Sequence, residues 1–269
     1  MNETDAAAPR STDGAQSIRR ALAVLRIVAA GQEQGVRLTD VVRGSGLNTP
    51  TVHRILRVLV DEGACEQDAA TRRYLIGSEV SLLGLARSAR FPLRALAEPQ
   101  LRYLSETLGD TTFLTIRNGD DSVCLDRWTG SFPVKVLSIE IGARRPLGVG
   151  VSGLVLLASL PLPEAQEVVQ RNAQRLRSMQ IDPQDLLQRA TLARQHDYAF
   201  APIGVVPGSR AVAVPVRSPE GQTIAGIAVA TITERMPDSR VPEVVRTMTA
   251  QAAGITARLA EVAQSRRGR

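Results

Sequence analysis

The clearest hydrophobic pattern in the chain lies at residues 38–61, LTDVVRGSGLNTPTVHRILRVLVD. It predicts two short helices joined by a tight turn, because Gly44 and Gly46 favour a sharp change of chain direction. The second helix repeats apolar residues at the i, i+3, i+4, i+7 spacing of one helical face, at Val52, Ile55, Leu56 and Leu59. We predict that Thr49 caps this helix and that Pro50 takes its first position, where a missing N–H costs nothing.

The opposite face of the second helix is polar. At 100° per residue, the side chains directed most nearly away from the apolar stripe are those of Pro50, Arg54, Arg57 and Asp61, flanked by Thr51 and His53. A helix with small polar groups at its start and outward arginines suits the major groove of DNA. Two alternatives stay open, because helix arginines are usually only solvated and His53 is as well placed to pack beside a neighbouring hairpin.

Another helix precedes this pair. Residues 18–30, IRRALAVLRIVAA, have an apolar stripe that we expect to face inward, composed of Ile18, Ala21, Leu22, Leu25 and Val28. Gly31 ends this helix, and Gly63 ends the last helix of the pair. The first part of the chain is therefore predicted to be a three-helix unit.

A β-hairpin is predicted to follow the three helices. Its two strands have the composition of short half-buried strands and are placed at residues 64–67 and 74–76. Arg72 and Arg73 lie near the tip, from which they can reach phosphates or the minor groove. Three helices and a hairpin predict a winged helix-turn-helix domain at residues 17–77.

The pattern of the remaining chain predicts a linker helix at residues 78–90 and a second domain at residues 91–265. Strands are expected at residues 112–117, 122–128, 134–139, near Tyr198, and at 211–216 and 223–233. Helices are expected at residues 93–108, 151–160, 164–177, 183–196 and after Pro242. The second domain should be an α/β domain with a mainly antiparallel sheet and helices on its faces, which makes the whole chain α+β.

Composition narrows the class of protein. A chain of 269 residues with 43% hydrophobic side chains can bury two cores. The net charge is +6 and Lys135 is the only lysine, so the positive charge is arginine, which suits phosphate and guanine contacts; genome base composition is an equally good cause. Cys65 and Cys124 have no spacing typical of a zinc site. Residues 1–16 are polar and predicted to be a disordered tail, and no apolar run predicts a membrane span, so a cytoplasmic protein is expected.

Three motifs would suggest catalysis, and each is weak. Residues 148–153, GVGVSG, have the form GxGxxG but lack the later acidic residue of a dinucleotide site. Ser152 does not complete a GxSxG nucleophile motif. His196 is the only candidate base outside the first domain, and a lone histidine at a helix end is usually structural. We therefore predict no enzyme activity, no cofactor and no metal site.

The segments SIRRALAVLRIVAAG, LTDVVRGSGLNTPTVHRILRVLVDEG and RRYLIG resemble the DNA-binding domain of the IclR family of bacterial transcription regulators. RRPLGVGVSGLVLLASLP and YAFAPIGVVPGSRAVAVPVRSPEGQTIAGIAVATIT are similar to that family's effector-binding domain, which has a GAF-like fold. The resemblance covers residues 17–265. It implies that the groove-facing positions are Asn48, Thr49, Thr51, His53, Arg54 and Arg57.

The sequence departs from the family in the effector pocket that the resemblance implies. Small apolar residues take the places of the family's common cysteine, acidic residue and two serines, at Ala211, Ala201, Ala228 and Ala230. Further lining is expected from Ser152 and Ser209 as donors, Arg145 as a charge, and Val134, Leu137 and Val151. We predict a more apolar effector than a small keto acid, such as an aromatic or acyl acid with one anchored carboxylate. The alternative is a smaller or empty pocket.

The sequence thus predicts a transcription regulator that binds double-stranded operator DNA as a homodimer or homotetramer and responds to a small-molecule effector. The alternative from another class is a small-molecule sensor or enzyme whose winged helix contacts protein. Only the first predicts DNA binding that weakens with salt. The operator sequence, the effector and the choice between repressor and activator stay open.

Overall fold

The computed structural model describes residues 13–90, 92–201 and 204–267. The chain divides into two compact units between residues 91 and 92. The first unit is built from helices and a two-stranded hairpin, and the second contains a six-stranded sheet with helices on both faces. The predicted α+β fold class, with a winged helix-turn-helix domain before an α/β domain, is confirmed.

The first unit is a winged helix. Its elements are α1 (Asp13–Ala30), α2 (Leu38–Ser45), α3 (Thr49–Asp61), β1 (Cys65–Gln67), β2 (Tyr74–Ile76) and α4 (Ser78–Arg90). Strands β1 and β2 are antiparallel. Val36 forms an isolated bridge to Tyr74 on the edge of β2 that faces away from β1. The core joins helices α1, α2 and α3 to the hairpin, and its buried residues are Val24, Val28, Val41, Val52, Leu56, Cys65 and Tyr74.

Helix α1 differs from its prediction in two respects. It begins at Asp13, five residues earlier than predicted, and so takes in the end of the predicted tail, whose residues 1–12 lie outside the described residues. The predicted inward stripe is wrong at Ile18 and Leu22, which are exposed, whereas Val24 is fully buried. Only the second half of the helix packs on α2 and α3, so the apolar periodicity of its first half has no core to face.

The second unit is a three-layer domain. Its helices are α5 (Leu93–Leu108), α6 (Gly150–Ala158), α7 (Leu162–Arg171), α8 (Ala173–Ser178), α9 (Pro183–His196) and α10 (Val241–Arg267). Its strands are β3 (Thr111–Asn118), β4 (Asp121–Trp128), β5 (Arg144–Pro146), β6 (Ala199–Ala201), β7 (Ser209–Arg217) and β8 (Thr223–Ile232). The strand order is β5-β4-β3-β8-β7-β6, with each described pair antiparallel.

Alternation along the strands separates the two faces of this sheet. Phe113 and Ala228 face the side on which α6 lies, and they share its hydrophobic core with Leu154. Helices α5 and α10 pack together and against β3 and β7 respectively. Met248 and Ile255 of α10 are fully buried. Helix α6 therefore stands over one face of the sheet, and this arrangement positions the cavity described below.

The strand predicted at residues 134–139 is wrong. This segment is irregular, and the strand that pairs with the edge of β4 opposite β3 is β5 (Arg144–Pro146). Burial does not follow the apolar alternation of VKVLSI, because Val136 is buried whereas Val134 and Leu137 are exposed. Apolar alternation in a short segment therefore does not by itself establish a strand.

The single helix predicted at residues 164–177 is two helices, α7 and α8, separated at Asn172. The Asn172 side chain is buried and its Nδ2 donates a 2.7 Å hydrogen bond to the carbonyl of Asp120 in the β3–β4 turn. This tertiary contact fixes the break between the two helices. Asparagine is only mildly unfavourable inside a helix, so helix propensity alone does not predict a break at this position.

Candidate functional site

The N-terminus of α3 is capped by Asn48. Its Oδ1 accepts a 3.0 Å hydrogen bond from the Thr51 amide, which is one of the orphan donors of the first turn. The predicted cap at Thr49 is wrong: Thr49 is the first helical residue and Pro50 the second. Asn48 has the extended backbone of a capping residue, and Pro50 still occupies a position where its missing N–H costs nothing.

The outward face of α3 is free of internal partners. Val52 and Leu56 are fully buried, while His53, Arg54 and Arg57 are exposed and Thr51 is half-buried. Within residues 13–90, neither arginine makes a hydrogen bond or an ion pair. By contrast, Arg43 on α2 is paired with Asp40. Unpaired guanidinium groups on a capped, outward helix face are available for phosphates and base edges.

The two arginines of the hairpin have different surroundings. Arg72 is exposed, with the left-handed φ of +58° that lets the chain turn back. The Arg73 guanidinium instead donates hydrogen bonds of 3.3 and 3.0 Å to the carbonyls of Gln34 and Gly35. Arg73 therefore ties the hairpin to the loop before α2, and Arg72 is the arginine that is free to reach a partner.

A cavity of about 500 Å³ lies in the second unit between the sheet and the first turn of α6. It is lined by most of the predicted effector residues, namely Arg145, Val151, Ser152, Ala201, Ser209, Ala211, Ala228 and Ala230. Val134 and Leu137 do not line it and are 54% and 48% exposed. The same segment contributes Val136, Ser138 and Ile139 instead, because its inward positions differ from the predicted ones.

One part of the cavity wall is a row of alanines. Ala201 on β6 pairs with Ala211 on β7, and Ala211 pairs with Ala230 on β8. In the next row, Ala228 lies opposite Phe113 on β3. Methyl groups at adjacent cross-strand positions make a flat apolar surface, and we call the three residues Ala201, Ala211 and Ala230 the alanine floor.

The opposite part of the wall is polar. Arg145 is half-buried, and burial lowers the pKa of its guanidinium. Its Nη2 donates a hydrogen bond to the carbonyl of Ser138, and in the described part of the chain no Asp or Glu forms an ion pair with it. Thr115 and Ser152 are 5% and 9% exposed, and neither hydroxyl has a hydrogen-bond partner among the described residues. The guanidinium of Arg145 and the hydroxyls of Thr115 and Ser152 are therefore hydrogen-bond donors on this part of the cavity wall.

Models of two families match the chain. The helix-turn-helix domain of IclR matches residues 17–69, and the C-terminal domain of bacterial IclR transcriptional regulators matches residues 86–257. This chain belongs to the IclR family. It is an IclR-type transcriptional regulator, with a helix-turn-helix DNA-binding domain and a C-terminal effector domain.

The chain is also similar to individual proteins. The HTH-type transcriptional regulator BhcR of Paracoccus denitrificans (strain Pd 1222) is 30% identical over 230 residues, which cover 85% of this chain and 81% of BhcR. An IclR regulator from Silicibacter sp. TM1040 has a TM-score of 0.76 at 27% identity and covers 90% of this chain and 96% of its own. An IclR homologue from Microbacterium hydrocarbonoxydans in complex with 4-hydroxybenzoate has a TM-score of 0.70 at 23% identity. The match covers 91% of this chain and 99% of the homologue.

The sequence analysis missed two polar side chains of the cavity wall. Thr115 lies in β3 and Ser122 in β4, where both read as ordinary strand residues. The register brings Ser122 opposite Arg145, whose carbonyl accepts a 3.4 Å hydrogen bond from the Ser122 hydroxyl. The predicted donor Ser209 lines the cavity, but its hydroxyl is bonded to the carbonyl of Val206 at 2.5 Å.

The motifs that suggested catalysis have packing roles in this IclR-type domain. Gly148 has a φ of +99°, and a Cβ there would lie 2.9 Å from side-chain atoms of Leu157 and Leu186. His196 ends α9 with its ring 5.9 Å from that of Tyr198, and it does not line the cavity of Arg145. Across residues 13–90, 92–201 and 204–267, no cluster of three His, Cys, Asp or Glu side chains suits a metal, and no helix is long and apolar enough to cross a membrane.

Proposed function

We propose that this regulator binds a specific operator in double-stranded DNA through α3 and the β1–β2 hairpin, and that a small acid in the cavity controls this binding. The observation that carries the proposal is the pair of unpaired, outward arginines Arg54 and Arg57 on a helix capped by Asn48. Arginine donates two parallel hydrogen bonds to guanine or to phosphate, which fits both base reading and positioning. Asn48, Thr49, Thr51, His53 and Arg72 surround these two positions in the proposed contact surface.

The proposed assembly is a homodimer or homotetramer acting in the cytoplasm. Helix α3 has 13 residues, of which only the outward ones can meet base edges. One such helix reads few base pairs, whereas two helices on half-sites one helical turn apart give the specificity that an operator needs. The effector acts only if it has different affinities for two arrangements of this assembly.

The effector class follows from the lining of the cavity. The alanine floor offers no hydrogen bond to a polar ligand, and Arg145 offers a positive charge. These features favour an aromatic or other largely apolar acid over a small, highly polar one. The aromatic acid bound by the Microbacterium relative, 4-hydroxybenzoate, is therefore a reasonable first probe.

The test of DNA binding uses the full chain and DNA from upstream of its own gene and of the neighbouring operon. Fluorescence anisotropy at about 50 and about 200 mM salt should show a loss of affinity of about a thousandfold if about six phosphates are contacted. Arg54→Ala should bind about tenfold to a hundredfold more weakly, the usual cost of one lost base contact.

Arg246→Ala is the matched control, because it removes the same charge from an exposed position on α10 in the other unit. Its affinity should stay within about twofold of wild type if contact rather than net charge decides binding. The assignment of α3 as the DNA-contacting helix would be overturned if the affinity did not change with salt concentration, or if wild type and Arg54→Ala had equal affinities. The winged helix would then be a protein-contact surface.

A further inference from the structure

The polar and apolar parts of the cavity wall lie at opposite ends of the strand order. Arg145, Ser122 and Thr115 come from β5, β4 and β3, whereas the alanine floor comes from β8, β7 and β6. Helix α6 crosses between them, and Ser152 in its first turn lies over Gly226, which pairs with Thr115. A Cβ at Gly226 would stand 3.3 Å from the backbone carbonyl oxygen of Ser152, which is a tight contact, so glycine favours this close approach.

The guanidinium of Arg145 lies beside the start of α6. A Cβ built at Gly150, the first residue of that helix, would be 3.7 Å from its Nη1, and Ser152 lies in the same helical turn. The other charged lining residue is Arg189, whose guanidinium is 3.9 Å from the Asp185 carboxylate. Among the described lining residues there is no acidic side chain, so a cationic ligand has no partner here.

We propose that the cavity binds a monocarboxylic acid in one orientation, with its carboxylate at Arg145, Ser152 and Thr115 and its apolar body on the alanine floor. This assignment deepens, and for its regulatory meaning rests on, the proposed function. Arg145 is the residue that determines specificity for an anion. A carboxylate can accept charge-assisted hydrogen bonds from its half-buried guanidinium, whose acceptor within the protein is the neutral Ser138 carbonyl, and further hydrogen bonds from the two hydroxyls.

The geometry also selects the body of the ligand. A volume of about 500 Å³ holds a ring or a medium acyl chain together with a carboxylate. A sugar or polyol would have to leave hydroxyls unpaired against the methyl groups of Ala201, Ala211 and Ala230, which costs free energy for each buried group. The ligand therefore has one polar end and no polar group on the face that lies on the alanine floor.

The test compares acids with their neutral amides on the full chain. Isothermal titration calorimetry and thermal melting are measured with benzoate, 4-hydroxybenzoate and octanoate, and with benzamide, 4-hydroxybenzamide and octanamide. We expect at least one acid to bind with a sub-millimolar Kd and to raise the Tm, and its amide to bind at least about tenfold more weakly, the range for losing one charge-assisted contact. Failure of all three acids to bind overturns the assignment.

Two variants of the polar end test which residues hold the anion. Arg145→Leu should weaken binding of the acid at least about tenfold and reduce the difference between acid and amide. Arg189→Leu removes the other lining charge and should leave the acid affinity within about threefold. Thr115→Val has nearly the same shape and removes only an unpaired hydroxyl, so it should fold normally and still weaken the acid. Unchanged acid affinity in both Arg145→Leu and Thr115→Val contradicts the proposal.

DNA binding measured in the same samples separates this proposal from the proposed function. If an acid binds through Arg145 but leaves operator affinity unchanged, the anion site stands and control by it fails. If a neutral compound alters operator affinity while no acid binds, control by the cavity stands and the anion site fails. An Ala230→Leu variant, which fills the alanine floor, should weaken acid and amide alike.

Discussion

At the scale of single residues, position matters more than residue type. Asn48 and Thr49 are adjacent and both are good capping residues, yet only Asn48 has the extended backbone that lets its oxygen reach the Thr51 amide. Arg72 and Arg73 are likewise adjacent, and the turn sends one to solvent and the other to the carbonyls of Gln34 and Gly35. Neighbouring residues of one type thus have different roles.

Two substitutions of Asn48 distinguish its role as a helix cap from a contact with DNA. Asn48→Ala should lower the free energy of unfolding by about 1 kcal/mol, the usual cost of a lost N-cap. Asn48→Asp keeps an accepting oxygen, so its stability should stay near wild type, but the added negative charge should weaken binding to DNA phosphates.

Chemical denaturation and operator anisotropy on both variants check these two expectations. Equal DNA affinity for Asn48→Asp and wild type would show that this position stays away from the operator. An unchanged stability of Asn48→Ala would show that the observed hydrogen bond contributes nothing to folding.

At the scale of elements, one turn holds two helices. The two carboxylate oxygens of Asp120, in the β3–β4 turn, accept hydrogen bonds of 2.8 and 2.9 Å from Nε and Nη2 of Arg171 on α7. Asp121 accepts a 2.6 Å bond from Arg175 on α8, and Asn172 between the helices bonds the backbone of the turn. This arrangement packs α7 and α8 beside the sheet at the end where the polar part of the cavity lies.

The ion pair between Asp120 and Arg171 predicts that the stability of the protein depends on pH. The hydrogen bond from Arg171 holds the pKa of Asp120 below its ordinary value of 3.8. A lowered folded pKa stabilises the protein above the unfolded pKa, and this contribution is lost as the pH falls through the folded value. Asp120→Asn should therefore melt about one or two degrees below wild type at neutral pH, a small effect because the pair is partly exposed.

Thermal melts between pH 7 and pH 3 check this expectation, and the gap between wild type and Asp120→Asn should narrow below about pH 4. Asp185→Asn is the control, since that carboxylate is 58% exposed and its ion pair with Arg189 is long, at 3.9 Å. A gap that stays constant down to pH 3 would mean that the Asp120 charge does not contribute to stability.

At the scale of the whole molecule, the proposed DNA surface and the cavity belong to different units. The described lining residues of the cavity all fall in residues 113–230, and α3 lies in the first unit. Coupling between them requires two arrangements of the protein that the effector and the operator favour differently. In the proposed homodimer or homotetramer these would be two arrangements of the assembly. The same assembly would supply the second recognition helix.

If two recognition helices of one assembly contact the operator together, as proposed, the distance between the two DNA half-sites must be fixed. Inserting about five base pairs between the half-sites turns one of them by half a helical turn and should reduce affinity at least about a hundredfold, whereas about ten base pairs should restore part of it. Anisotropy on the three operator lengths measures this. Equal affinity at all spacings, or full affinity for one isolated half-site, would indicate that each winged helix binds alone.

The sequence by itself determined the elements whose information is local. Helices α5 and α9 have the predicted bounds, Leu93–Leu108 and Pro183–His196, because their starts and stops are set by proline, glycine and periodicity within the segment. The outward face of α3 was predictable for the same reason, since a helix fixes the relative directions of its own side chains. The IclR family followed from such segments together.

Only the tertiary structure decided which side chains meet in the cavity and which arginines are free. Thr115, Arg145 and Ser152 are distant in the chain or lie on different elements, and strand register together with the crossing of α6 brings them to one wall. Val134 and Leu137 failed as lining because an irregular segment has no fixed alternation. Register, loop path and helix crossing depend on long-range packing, which no local pattern encodes.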